Sequence, residues 1–306
     1  MAIPLTCRRV WPAIAGFIVV TGFCPGAAVD PPDVTYQSKV SEVQLSFSVT
    51  DQNNHGVATL EAGDFAVVDE DIIVRHFKSF TRTRWTKMEI AILVDASGSM
   101  APHFTREAAA LLELVSESSG IPDENISLFS FQGLQPALVC AGDCRASHGA
   151  EQIPAPRSGG LTPLFDTIVF AADYLGRHSD NDTEKILILF SDGQDTISRT
   201  SLDDAIDATL GRDIRLYSID LNPDASSRGS DVLSGLANAS GGGYFLGGDA
   251  SRRAMDAILE GFQASYVVAY RLPSSDAGFH PVRILPTHNS NLQFRSRSGY
   301  FYSHIR

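Results

Sequence analysis

Residues 88–100 read MEIAILVDASGSM, and the interpretation of this stretch decides the fold. Five of the six residues from Ile90 to Asp95 are apolar, and the run is rich in β-branched side chains. An unbroken apolar run of this length is expected of a strand buried on both faces, as in a parallel sheet. It stops at Asp95-Ala96-Ser97-Gly98-Ser99, which puts a carboxylate and two hydroxyls on one tight loop. Open α/β sheets keep their ligand sites beyond the carboxyl ends of strands. Asp, Ser and Gly are also ordinary turn residues, so this loop alone leaves both a site and a plain turn open.

Downstream of that strand the chain alternates strands and helices. Apolar spacing predicts a helix over 102–119, a strand over 126–131 and a long irregular stretch over 132–160. Thr162 is expected to cap a helix with Pro163 at its first position, its buried face formed by Leu164, Ile168, Ala171, Ala172 and Leu175. KILILF at 185–190 is a second buried strand; Ser201 caps the next helix and Ile214–Ile219 is a third strand. Ser230 opens a helix to about Ala239, a short strand covers 243–246, and 250–262 is the last helix. This βαβα rhythm implies a parallel sheet covered by helices.

Both flanks have β character. Val43, Leu45, Phe47 and Val49 alternate with polar residues, the period of a half-buried strand. Short runs at 65–68 and 72–80 follow it, and 266–272, 282–285, 292–295 and 300–302 are strand-like at the other end. About 45 residues of hairpin are marginal alone. Residues 38–86 and 264–306 are therefore expected to pack together, as two parts of one β-sandwich-like unit around an α/β domain at 87–263.

The chain has 306 residues, 43% of them hydrophobic and 20% charged, enough for a sizeable core. Its formal net charge of −12 argues against a nucleic-acid partner, whose footprint is basic. Arg8-Arg9, the apolar run Val10–Phe23 and the small residues Cys24–Ala28 have the layout of a secretory signal peptide over 1–28, cut after Ala28, with a linker at 29–37. The apolar run is shorter than the ~20 residues that span a bilayer. A secreted or periplasmic location without membrane insertion after cleavage is expected; an uncleaved anchor is the alternative. Cys7 and Cys24 leave with the signal, and Cys140 and Cys144 remain as a candidate disulfide.

The ends of the α/β elements hold the candidate site. Asp95, Ser97 and Ser99 follow the first strand, Ser191-Asp192-Gly193-Gln194-Asp195 follows KILILF, and Thr162 precedes a helix. Two carboxylates and three hydroxyls, with no thiol or imidazole, suit a hard divalent cation such as Mg²⁺, Ca²⁺ or Mn²⁺. At these residues the sequence resembles the von Willebrand factor type A (VWA) domain, whose metal-ion-dependent adhesion site is a D-x-S-x-S loop plus a later Thr and a later Asp. The resemblance covers roughly residues 87–263, and the flanks, ending in Arg297-Ser298-Gly299-Tyr300-Phe301, resemble the bacterial secreted VWFA-related proteins of the Acidobacterial type.

The resemblance implies a Rossmann-like, doubly wound, mainly parallel sheet with helices on both faces. It implies that Asp95, Ser97, Ser99, Thr162 and Asp192 hold the cation, with Mg²⁺ first among candidates, and that the centre accepts an acidic side chain of a protein partner. The implied function is adhesion or scaffolding, not catalysis. Asp195 is a candidate for supporting the site from behind, against a plain loop-capping role, and Asp220, Asn222 and Asp224 are turn residues that could border it. Two other readings stand beside this one. A Mg²⁺-dependent phosphatase-like hydrolase wants D-x-D where this chain has Ser97, and a structural envelope protein would keep the loops without a metal. No HExxH motif supports a metalloprotease, and Ser97 lacks the first glycine of G-x-S-x-G.

Overall fold

The computed structural model describes residues 42–83, 87–100, 121–156, 161–180, 183–222, 225–247 and 249–302. The expected signal peptide and the helix expected over 102–119 lie outside them. The central sheet comprises β5 (Lys87–Asp95), β6 (Ile126–Gln132), β7 (Gln135–Ala141), β8 (Thr183–Ser191), β9 (Ile214–Asp220) and β10 (Gly243–Leu246). Its order is β10-β9-β8-β5-β6-β7, with every pairing parallel except the antiparallel β6–β7 hairpin at one edge. The long helices are α1 (Leu164–His178), α2 (Leu202–Leu210), α3 (Arg228–Ser240) and α4 (Ala250–Gln263).

β5 lies in the middle of the sheet, and its alternate side chains feed two cores. Ile90, Ile92 and Val94 pack with Ile186, Ile188 and the α4 residues Ala254, Met255 and Ile258 on one face. Ala91 and Leu93 pack with Leu187, Leu189 and the α1–α3 residues Leu164, Ile168, Ala205 and Leu233 on the other. The run has no polar alternation because neither face meets water. Helices cover both faces, so the sheet is doubly wound and mainly parallel.

Three local expectations are corrected. The stretch 132–160 is not irregular throughout: β7 runs antiparallel to β6, with Leu138 opposite Phe129. As an edge strand β7 leaves most of its residues exposed or half-buried and tolerates Pro136, so it lacks a buried-strand signature. Cys140, near the end of β7, is joined to Cys144 by a disulfide. The single strand expected over 72–80 is two, β3 (Ile72–Ile73) and β4 (Phe77–Arg82), which join different sheets. The third helix starts at Arg228 with Ser227 as its cap, its hydroxyl accepting from the Ser230 N–H at 3.0 Å.

The flanking strands are β1 (Glu42–Thr50), β2 (Phe65–Asp69), β11 (Ser265–Arg271), β12 (Gly278–Pro286), β13 (Gln293–Ser296) and β14 (Gly299–Tyr302), with β3 and β4. They form two four-stranded sheets, β13-β1-β11-β4 and β14-β12-β2-β3. N- and C-terminal strands share both sheets, alternating in the first and lying as adjacent pairs in the second, so neither flank has a sheet of its own. One core fills the space between the sheets. Phe47 is fully buried there, its ring 5.1 Å from Phe65, 5.8 Å from Tyr266 and 5.9 Å from Phe294. The buried Asp69 carboxylate accepts the hydroxyls of Tyr270 and Tyr300, both at 2.8 Å, which ties β2 of the first flank to β11 and β14 of the second.

Because Phe47 contacts aromatic rings from both flanks, Phe47→Ala is expected to cost about 3–5 kcal/mol. Urea denaturation would show this as an earlier midpoint. An unchanged midpoint would contradict a core shared by the two flanks.

Candidate functional site

Parallel pairing of β5 with β8 decides which side chains meet at the carboxyl edge of the sheet. Val94 lies opposite Phe190, so Asp95 and Ser191 end their strands side by side. The Ser191 hydroxyl donates to Asp95 Oδ2 at 2.7 Å, and the Ser97 N–H donates to Oδ1 at 2.9 Å. A single 3₁₀ turn, Gly98–Met100, follows. It brings Ser97 Oγ and Ser99 Oγ to 3.1 Å, with Met100 buried beneath and Ser99 facing solvent.

Thr162 reaches the same edge by a different route. Pro163, not Thr162, occupies the cap position of α1, and no side chain caps the helix there. The Thr162 hydroxyl is therefore not spent on the helix, contrary to the expectation from sequence. Its backbone is clamped instead: the Thr162 N–H donates to the Thr196 hydroxyl at 2.7 Å. The Thr196 N–H in turn donates to the Thr162 carbonyl at 2.9 Å, so the loop after β8 holds Thr162 beside it. Thr162 and Asp192 are both buried, at 3% and 6% exposure.

The loop after β8 is shaped by close backbone packing. Gly193 has φ +76°, and a Cβ there would lie 2.2 Å from the Gly229 carbonyl oxygen at the start of α3. A Cβ on Gly229 would lie 1.9 Å from the Asp192 carbonyl oxygen. Neither position has room for a side chain. The Gly193 N–H donates to Ser191 Oγ at 3.0 Å, and the Gln194 N–H donates to Asp192 Oδ1 at 3.0 Å. The two glycines, Ser191 and Thr196 were not singled out from sequence. The only available signal was a hydroxyl and a glycine bracketing Asp192 at the end of an apolar strand.

The neighbouring acids have structural partners. Asp195 accepts from the Ser198 hydroxyl at 2.5 Å and, more distantly, from the Phe165 N–H of α1 at 3.5 Å. Asp220 accepts from Asn222, from the Ser230 hydroxyl and from the Tyr244 hydroxyl, and so fastens α3 and β10 to the end of β9. Asn222 donates to the Asp192 carbonyl at 2.8 Å. Asp224 lies outside the described residues.

Asp95 is fully buried and no basic side chain pairs with it or with Asp192 among the described residues. Burial pushes its carboxyl up to about 6, against the hydrogen bonds from Ser97 and Ser191, and the negative charge of Asp192 adds to the rise. A buried carboxylate is costly unless it is paired or coordinates a metal. The oxygen-only donor set, two carboxylates short of a positive partner, therefore fits a hard divalent cation.

The backbone of this loop can be tested without any ligand. Gly193 and Gly133 share a positive φ, +76° and +79°, but a Cβ on Gly133 meets nothing within 4 Å. Gly193→Ala is expected to lower the thermal midpoint clearly more than Gly133→Ala. Equal losses would contradict the packing of Gly193 on Gly229.

Residues 90–194 match the sequence profile of the von Willebrand factor type A domain. The magnesium-chelatase 67 kDa subunit of Chlorobaculum parvum is 22% identical over 139 residues, 45% of this chain and 22% of that protein. The human von Willebrand factor A domain-containing protein 3A is 25% identical over 181 residues, 57% of this chain and 15% of that protein. The chain thus spans less than a quarter of the length of either relative. Among solved structures, the manganese-loaded TRAP protein of Plasmodium vivax aligns with a TM-score of 0.45 at 14% identity, covering 78% of this chain and 99% of that one. The stretch from β5 to the loop after β8, residues 90–194, thus matches the von Willebrand factor type A domain.

Proposed function

We propose that this chain is a cation-dependent protein-binding module, acting in adhesion or scaffolding, in a secreted or periplasmic setting. The observation that carries the reading is the fully buried Asp95, beside Asp192 and three hydroxyl side chains, with no basic partner among the described residues. Asp95, Ser97, Ser99, Thr162 and Asp192 would hold a divalent cation, Mg²⁺ first among candidates and Ca²⁺ or Mn²⁺ next. Two carboxylates offset its charge, so the bound ion supplies an electrophilic centre for an outside carboxylate. The partner is accordingly a protein that presents an Asp or Glu side chain. Asp195 supports the site indirectly, through the turn at 195–198 and its contact with the first turn of α1.

This chain's own residues provide the rigidity such a site needs. Ser191 and the Ser97 N–H orient the Asp95 carboxylate, and Thr196 fixes the backbone of Thr162. Ser99, the exposed member, lies where the site meets solvent. No catalytic residue is assigned. The division that accompanies this reading is a signal peptide over 1–28, a linker over 29–37, the VWA domain over 87–263, and flanking β segments over 38–86 and 264–306 that serve as its support. Among the described residues no helix is long and apolar enough to cross a membrane.

Calorimetric titration with Mg²⁺ tests the reading. Saturable binding is expected for the wild type, and none for Asp95→Ala when that variant melts as a folded protein. Unchanged affinity in Asp95→Ala would overturn the assignment.

A further inference from the structure

A second feature lies at the opposite, amino edge of the central sheet, away from Asp95. There α3, the start of β10 and the strands β12 and β13 enclose a cleft of about 830 Å³. Cavities of this size are in the range that takes small ligands or a peptide segment, about 300–1,000 Å³. Its lining includes Arg283, Arg295 and Arg297 but no carboxylate, in a chain whose formal net charge is −12.

These arginines differ in how far their donors are used. Arg283 pairs with Asp71 at 2.8 Å, and both side chains are well exposed, so water and salt weaken that pair. Arg297 donates from Nη2 to the Gln44 carbonyl at 2.8 Å and stands 3.8 Å from Asp213 through Nη1. Its Nε is buried with no hydrogen-bond partner among the described residues. Arg295 is half-buried and has no hydrogen bond or ion pair among the described residues. A buried guanidinium N–H without an acceptor is unfavourable, and the group's planar fork matches an oxyanion in bidentate geometry.

The surroundings fit an anion with an apolar body. Ser234 and Asn238 add neutral hydrogen-bonding groups, while Phe294, Ile284 and Leu285 line the cleft with apolar surface. The carboxyl end of α3 points its negative dipole toward this edge. That effect is blunted because the Ser298 N–H donates to the Ala239 carbonyl at 2.8 Å. The Arg297–Ser298 segment thus both closes the helix end and supplies one of the cations.

We propose that this cleft binds an oxyanion, a carboxylate or a phosphate, through Arg295 and Arg297. The site is separate from the cation site and does not depend on it. Titrations in chelator-containing buffer keep the cation site out of the measurement. The two probes are inorganic phosphate and the peptide Ac-Glu-Leu-Glu-NH₂, which distinguish a phosphate from a carboxylate source. Saturable binding of one of them is expected, weakened about tenfold or more in Arg295→Gln. Amide shifts at Ser234, Asn238 and Gly242 in the wild type would place the ligand even if that variant did not fold. Absence of saturable binding for both probes, binding unchanged in Arg295→Gln, or shifts confined to other surfaces would overturn the proposal.

Discussion

Asp95 carries its carboxylate out of water at the end of the central strand, where the Ser97 N–H and the Ser191 hydroxyl donate to it. The rest of the carboxyl edge is arranged around that group. Parallel pairing of β5 with β8 puts Ser191 beside it, and Asp192 follows directly. The loop after β8 then turns back through the Gly193–Gly229 contact and clamps Thr162 through Thr196. Each link is short-range, yet together they join residues almost a hundred positions apart in the chain.

The opposite edge of the same sheet depends on a different constraint. The two flanks of the chain contribute strands to both sheets of the sandwich, so the α/β domain is closed off by strands from before and after it. The shared aromatic core around Phe47 and the Asp69 carboxylate, with its two tyrosine donors, hold that unit together. Arg295 and Arg297 belong to this closing segment and stand where it meets α3 and β10. One sheet therefore presents an acidic edge and a basic cleft at its two ends.

Much of the fold was legible because burial on both faces leaves a plain mark: Ile90–Val94 and Ile186–Phe190 carry no polar alternation. β7 left no such mark, since an edge strand is half in water and admits Pro136. The break between β3 and β4 was hidden because strand propensity does not say which sheet a residue joins. At the candidate site, the residue types and their positions at element ends could be read directly. The hydrogen bonds of Ser191 and Thr196, and the contact between Gly193 and Gly229, could not, because they are made across the sheet between distant segments. Thr162 shows the limit of local rules: a Thr-Pro pair before a helix suggests a cap, but here Pro163 takes that position and the hydroxyl is left unspent.

The central claim is that five side chains at the carboxyl edge converge on one divalent cation. Anomalous diffraction from crystals soaked in Mn²⁺ tests it most directly. The account predicts a single strong peak in contact with Asp95, Ser97, Ser99, Thr162 and Asp192, directly or through water. A peak bound elsewhere, with this edge vacant under saturating Mn²⁺, would contradict it.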